Sequence, residues 1–232
     1  MTYEELVSSL RPSVALSAEA VSKLRRFATL LNEWNEKMNL TAITKESEVV
    51  GKHFYDCLLP CKYLSLNGKK VADLGTGAGF PGLVWAIVSP EASFTLIEAT
   101  GKKCSFLEAV VEACGLKNVT IVHKRCEEMK EREAFDVVAA RAVAPMGPLL
   151  EISLPLVKVG GVFLAMKGSG GQEEFNKTGK EISKLGAVLK TVKSEALPNE
   201  MGIRRNFIFL KEKPTPKKYP RPWATIIKKP LV

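Results

Sequence analysis

The chain is 232 residues long, 46% hydrophobic and 25% charged, which is enough to bury a substantial core in one α/β domain with an appendage but not comfortably two full domains. Five cysteines (Cys57, Cys61, Cys104, Cys114, Cys126) form no C-x-x-C pair, and His53 and His123 are the only histidines, so the composition argues against a disulfide framework and a zinc site and for reduced thiols in a cytoplasm. No run approaches the ~18 apolar residues of a membrane helix and no basic segment precedes an apolar one at the start, so a soluble, cytoplasmic protein is expected, with no membrane partner and no metal.

Thr2 and Glu5 have the spacing of a capping box, and Ser17 followed by Glu19 marks a second helix start. Leu24, Phe27, Leu31, Trp34 and Met38 then recur at alternating three- and four-residue steps, drawing one apolar stripe that reads as core packing. Residues 1–66 are therefore expected to form an N-terminal helical cap packed on a core of 67–213. After Gly68 the period changes. Lys70 to Leu74, Phe94 to Glu98, Val119 to Val122, Phe135 to Ala140 and Val162 to Lys167 read as short strands. Helical patterns separate them at about 81–88, at about 101–114 with Gly115 beyond its end, and at about 146–158. A helix near 173–185 and strands near 187–193 and 205–211 complete the pattern, with a hairpin at its end. Such alternation implies right-handed crossovers and a mostly parallel, doubly wound Rossmann-like sheet.

The most informative stretch is Val71-Ala72-Asp73-Leu74-Gly75-Thr76-Gly77-Ala78-Gly79-Phe80-Pro81-Gly82, where an apolar strand ends in a carboxylate and glycines lead into a helix. Alternating glycines let main-chain N–H groups approach a small ligand at the strand's carboxyl end. Two fingerprints overlap here. Gly77, Gly79 and Gly82 satisfy G-x-G-x-x-G, and Glu98 stands where a dinucleotide site wants its acid. The register of Asp73, Gly75, Gly77 and Gly79 instead matches methyltransferases that use S-adenosylmethionine, and this cofactor is favoured over NAD.

Further candidates lie at the other strand ends. Glu98 can accept from ribose hydroxyls, and Cys126 with Glu127 stand where adenine would be met. Arg141 ends the fourth strand and can hold a carboxylate or phosphate through its planar fork, while Lys167 ends the fifth. His53 and Asp56 are candidates for the substrate side, set against a packed histidine and a helix-capping aspartate. From Met201 onward nine lysines and arginines face Glu212 alone, so nearly all of the formal net charge of +9 sits in the last segment. That bias suggests a polyanionic partner for a basic C-terminal extension over 214–232, with Tyr219 and Trp223 available to stack on bases or dock the segment.

The ordered set Trp34-Asn35, Asn39-Leu40-Thr41, His53 to Asp56, Asp73 to Gly82, Arg125 to Glu127, Ala140 to Ala142, Lys167-Gly168, Lys218 to Arg221 and Lys229 to Leu231 resembles the bacterial 16S ribosomal RNA guanine-N7 methyltransferase small-subunit family, also called glucose-inhibited division protein B. The resemblance covers nearly the whole chain. It implies an S-adenosylmethionine-dependent enzyme, 7-methylguanosine in the decoding region of 16S ribosomal RNA as product, the small ribosomal subunit or its RNA as partner, and a monomer. Its cofactor contacts correspond to Gly75, Phe80, Cys126, Glu127 and Arg141. Cys57, Cys126 and the apolar Pro222 to Ile227 segment depart from what relatives commonly carry. Guanine N7 bears a lone pair and no proton, so positioning suffices and no catalytic base is expected. An NAD-dependent oxidoreductase and a noncatalytic RNA-binding factor are the alternatives.

Overall fold

The computed structural model describes residues 1–178 and 182–231. Helix α1 (Tyr3–Leu10) starts at the capping box: Thr2 Oγ1 accepts from Glu5 N, and the Glu5 carboxylate accepts from Thr2 N. Ser17 caps α2 (Ala18–Met38) by accepting from Ala20 N, and Asn39 ends it in a left-handed conformation. A mixed helical stretch follows, with α3 (Glu46–Glu48), a π-helical run over Val49–Tyr55, α4 (Asp56–Leu58) and a 3₁₀ turn over Leu59–Lys62. The α2 stripe turns inward as expected: Leu24, Phe27 and Leu31 are buried, and Trp34 packs at their edge. Phe27 lies 5.1 Å from the Phe80 ring and 6.2 Å from the Phe106 ring, so the N-terminal helices share one apolar cluster with the helices covering the sheet.

The strands are β1 (Lys70–Leu74), β2 (Ser93–Glu98), β3 (Val119–His123), β4 (Phe135–Arg141), β5 (Val157–Lys167), β6 (Ala187–Ala196) and β7 (Ile203–Lys211). They form one seven-stranded sheet in the order β3-β2-β1-β4-β5-β7-β6. β1 to β5 are parallel, and the β6–β7 hairpin joins β5 antiparallel. Chain direction along the sheet reverses between β1 and β4, so the carboxyl ends of these two strands flank the topological switch point. Helices α5 (Gly82–Val88), α6 (Gly101–Ala113), α7 (Met146–Ser153), α8 (Gly171–Thr178) and α9 (Trp223–Lys228) follow, with a 3₁₀ turn over Cys126–Glu128 after β3.

Three expectations need correction. The helix through about 146–158 stops at Ser153: a 3₁₀ turn over Leu154–Leu156 carries Pro155, and β5 begins at Val157, its early residues reading apolar at either period. The helix at about 81–88 starts at Gly82, with Pro81 just before it at the N-cap position. The helix near 173–185 breaks into α8 and a 3₁₀ turn over Ile182–Leu185, and residues 179–181 lie outside the described residues.

The basic C-terminal segment is docked. Tyr219 and Ile226 are buried in the cluster formed by α7, β4, β5 and β7, and Arg221 holds the fully buried Glu151 of α7 in a bidentate pair. Lys211, also fully buried, donates to Leu154 O and to Thr215 Oγ1. Part of the apparent surface charge is therefore structural. Lys217, Lys218, Lys228 and Lys229 remain exposed.

Candidate functional site

Asp73 organises the turn after β1. Its Oδ2 accepts from Thr76 Oγ1 at 2.6 Å and Gly82 N at 2.8 Å, tying the strand end to the first residue of α5. Gly82 must be glycine, because a Cβ would collide with Leu96 and sit 2.7 Å from that same carboxylate oxygen. Gly75 and Gly77 have φ of +59° and +60°, a region costly for side chains. A Cβ on Gly75 would meet Val143 at 2.9 Å, whereas one on Gly77 would meet only Gly75 O at 3.9 Å.

This turn forms one wall of a cavity of about 720 Å³ at the switch point, within the range of small-molecule sites. Gly75, Gly77 and Phe80 line it from the turn, His53 and Asp56 from the π-helical run and α4, Arg141 from the end of β4, and Lys167 from the end of β5. The structure thus brings seven of the candidate residues together. Asp73 and Gly79 stay behind the turn, and Asp73 is completely buried. Glu98, Cys126 and Glu127 also lie off the cavity wall. Glu98 is 6% exposed, and its carboxylate accepts from Gly77 N at 3.0 Å and Thr100 N at 2.8 Å, so it braces the glycine turn while keeping lone pairs to spare. Cys126 is half-buried with its thiol beside the Gly75 backbone, and burial pushes that thiol up to about 12, which leaves it inert as a nucleophile. Glu127 pairs with Arg125 at 2.8 Å.

Arg141 is held on four sides. Nη1 donates to Asp56 Oδ2 at 3.1 Å and reaches Lys52 O at 3.4 Å, Nη2 donates to His53 Nδ1 at 3.3 Å, and the guanidinium lies 5.0 Å from the Phe80 ring centroid. Because arginine only donates, His53 Nδ1 must accept, and Nε2–H donates to Thr41 Oγ1 at 3.1 Å. The imidazole, stacked 4.4 Å from Phe80, is neutral and fully committed. Burial and then the Arg141 charge lower its pKa from 6.5 to about 3. Lys167 is 8% exposed and donates to Ala144 O at 2.6 Å and Glu174 Oε2 at 2.8 Å.

Sequence reasoning missed Arg204, which appeared only as one charge of the basic terminus. From β7 its Nε donates to Asp56 Oδ2 at 3.0 Å, and it lines the cavity with Lys52 and Lys103. Nothing local marks Arg204, whose partner lies 148 positions earlier. Thr41, in the Asn39-Leu40-Thr41 element, carries no local sign that it meets His53. The lining carries five cations (Lys52, Lys103, Arg141, Lys167, Arg204) against Asp56 and Glu174, an excess suited to an anionic ligand.

Two buried groups at the site titrate in opposite senses. Burial raises Asp73 from 3.8 to about 7, opposed by its hydrogen bonds from Thr76 and Gly82. Between those values the folded chain binds a proton that the unfolded chain does not, so this contribution is full below 3.8 and is lost as pH rises through about 7. For His53 the unfolded chain binds the extra proton between about 3 and 6.5, so its contribution is lost as pH falls through that window. Asp73→Asn keeps an acceptor for Thr76 and Gly82 and removes the charge. Its stability relative to the parent is expected to rise by up to about 1.4 kcal/mol per pH unit from pH 4 to 7 and then level off. Urea unfolding of both proteins at pH 5 and pH 8 checks this, and a pH-independent difference would show that Asp73 titrates normally.

Among the described residues no group of histidine, cysteine and carboxylate side chains is arranged to hold a metal ion, and no helix is long and apolar enough to cross a membrane. A family model described as GidB, rRNA small subunit methyltransferase G, matches residues 20–203. Proteins named ribosomal RNA small subunit methyltransferase G from Staphylococcus carnosus and Desulfitobacterium hafniense are 40% and 43% identical to the chain. The first alignment covers 100% of both chains, and the second covers 99% of this chain and 98% of the relative. Among solved structures, a SAM-dependent methyltransferase from Aquifex aeolicus superposes with a TM-score of 0.57 at 14% identity, covering 74% of this chain and 97% of that one, a likeness of fold.

Proposed function

The chain belongs to the rRNA small subunit methyltransferase G family, and from that premise we propose that it transfers a methyl group from S-adenosylmethionine to N7 of a guanosine in the decoding region of 16S ribosomal RNA. The same glycine spacing that fits a dinucleotide site serves here in a methyltransferase family, so the oxidoreductase alternative falls. The observation that carries the reading is the cavity at the switch point, bounded at once by the glycine turn and by five cations.

The residues present fit the cofactor. The left-handed Gly75 and Gly77 expose backbone without side chains at the cavity wall, and Arg141 offers a rigid guanidinium to a carboxylate. Glu98 and the Cys126-Glu127 segment lie off this cavity wall, at the ends of β2 and β3, and we propose that the ribose and adenine extend past the glycine turn to reach them. When bound, S-adenosylmethionine supplies an electrophilic sulfonium methyl. The chain's own contribution is orientation: Phe80, His53 and Asp56 fix Arg141, and Glu98 fixes the turn. His53, neutral and with both nitrogens engaged, is a structural support and not a base. Lys52, Lys103 and Arg204 give RNA phosphates a positive approach.

Incubation with labelled S-adenosylmethionine and undermethylated small-subunit particles, followed by mapping of the modified nucleotide, tests the proposal. The expected product is a single 7-methylguanosine in the decoding region. Label at another atom or only on other RNA would refute it.

A further inference from the structure

Residues 142–145, between β4 and α7, all line the cavity, yet Ala142, Val143, Ala144 and Pro145 carry no side chain able to make a hydrogen bond. Ala142 has φ of +57°, a left-handed conformation that an alanine keeps only where its surroundings impose it. Val143 presses on the glycine turn, since a Cβ on Gly75 would come within 2.9 Å of it. The far end of the segment is fixed by an ion pair. Lys167, buried at the end of β5, donates from Nζ to Ala144 O at 2.6 Å and to Glu174 Oε2 at 2.8 Å, and the same oxygen accepts from Met146 N at 2.9 Å. Pro145 stands at the N-cap of α7 without a side-chain acceptor, so a carboxylate from α8 caps that helix from outside. Helix α8 is itself anchored: the Phe175 ring packs 5.4 and 6.1 Å from those of Phe207 and Phe209, and a Cβ on Gly171 would sit 2.5 Å from Lys167 Cβ.

Resting on the methyl transfer proposed above, we infer that Glu174 is a positioning residue: through Lys167 and the Met146 amide it holds residues 142–145 against the glycine turn, as the wall on which the target base is oriented. The segment has no polar side chain to hold itself, and its left-handed Ala142 favours release, so its place depends on the two hydrogen bonds that the Lys167–Glu174 pair supplies. With its ammonium buried and its charge paired, Lys167 braces this wall and does not neutralise an RNA phosphate. Transfer to a nitrogen lone pair relies on orientation, and a shift of about 1 Å at the reacting atoms costs on the order of 10²-fold in rate.

The parent enzyme is first assayed for methyl transfer to N7 of the target guanosine. Failure there refutes the activity itself, and amide exchange, which needs no substrate, still judges the hold on the segment. At saturating S-adenosylmethionine and RNA, where weaker binding of either no longer shows, Glu174→Ala is expected to lose about 10²-fold in kcat. Glu174→Gln, whose amide oxygen can accept from Met146 N and Lys167, should keep at least about ten times the rate of the alanine variant. Lys167→Met combined with Glu174→Ala should fall no more than about threefold below Glu174→Ala alone, because both act on one segment. In the protein free of cofactor and RNA, amide exchange over residues 142–149 should speed by about tenfold or more in Glu174→Ala. The log–log salt slope of RNA binding should be the same in Lys167→Met as in the parent. A parental kcat in Glu174→Ala, equal losses in its alanine and glutamine variants, losses that multiply in the double variant, or unchanged amide exchange overturns the inference. So does a salt slope flattened by about 0.7–0.9 in Lys167→Met, which would give that ammonium to an RNA phosphate. If Glu174→Ala does not fold, kcat and amide exchange in Lys167→Met decide by the same criteria.

Discussion

Replacing Arg221 by alanine is expected to destabilise the protein by about 3–5 kcal/mol, the range for removing one partner of a buried ion pair. Glu151 is completely buried on α7, and its carboxylate receives Arg221 N at 2.9 Å, Nε at 2.8 Å and Nη2 at 2.6 Å. The alanine variant keeps only the backbone bond and strands most of the charge. Since Nη2 also donates to Lys229 O at 2.9 Å, the end of the chain loosens with it. For a chain of this length the loss corresponds to a fall in Tm of roughly 6–20 °C. The double variant Arg221→Met with Glu151→Leu removes both charges and should recover most of the loss. A melting curve for Arg221→Ala within 1 °C of the parent would show that the pair contributes nothing. Deleting 214–232 would take Tyr219 and Ile226 from the core as well, so truncation measures folding before it measures RNA binding. Lys217→Ala with Lys218→Ala, both at exposed positions, separates the two. Its melting should be unchanged, and if the terminus touches RNA, the log–log salt slope of binding should flatten by about 0.7–0.9 per lost phosphate contact. An unchanged slope and affinity would place the RNA surface around the five-cation cavity alone.

Gly77→Val is expected to weaken S-adenosylmethionine binding by on the order of 10²-fold or more while leaving the chain folded, because the added methyl groups close the open wall and the positive φ strains the turn. The position has φ of +60°, which costs a β-branched residue roughly 1–3 kcal/mol. A Cβ there meets nothing closer than 3.9 Å, so the two added methyl groups would occupy the cavity side of the turn and not the core. The strain falls on the segment that Glu98 braces through Gly77 N. Titration calorimetry on variant and parent reads the effect. Binding within threefold of the parent, in a variant that melts cooperatively, would remove the Gly75 to Gly79 turn from the cofactor site.

Sequence alone determined what depends on neighbours along the chain. The capping residues Thr2 and Ser17 and the α2 stripe follow from helix ends and a period near 3.6, and the glycine turn after Asp73 follows from which residues tolerate positive φ. Alternating strands and helices were enough to imply a parallel sheet, whose switch point put Arg141 and Lys167 at the ligand-binding end. The end of α7 was misplaced because an apolar run fits either period where Pro155 intervenes. Tertiary structure alone decided how the charges are used. Arg204 meets Asp56 across 148 residues, Arg221 meets Glu151 across 70, and His53 is kept neutral by burial and by an arginine 88 residues away. Periodicity and backbone preference are local and leave their mark within a few residues. An ion pair or a shifted pKa is set instead by the distance and burial that packing imposes between remote side chains, and a lysine or arginine bound for the core carries the same local signature as one bound for solvent.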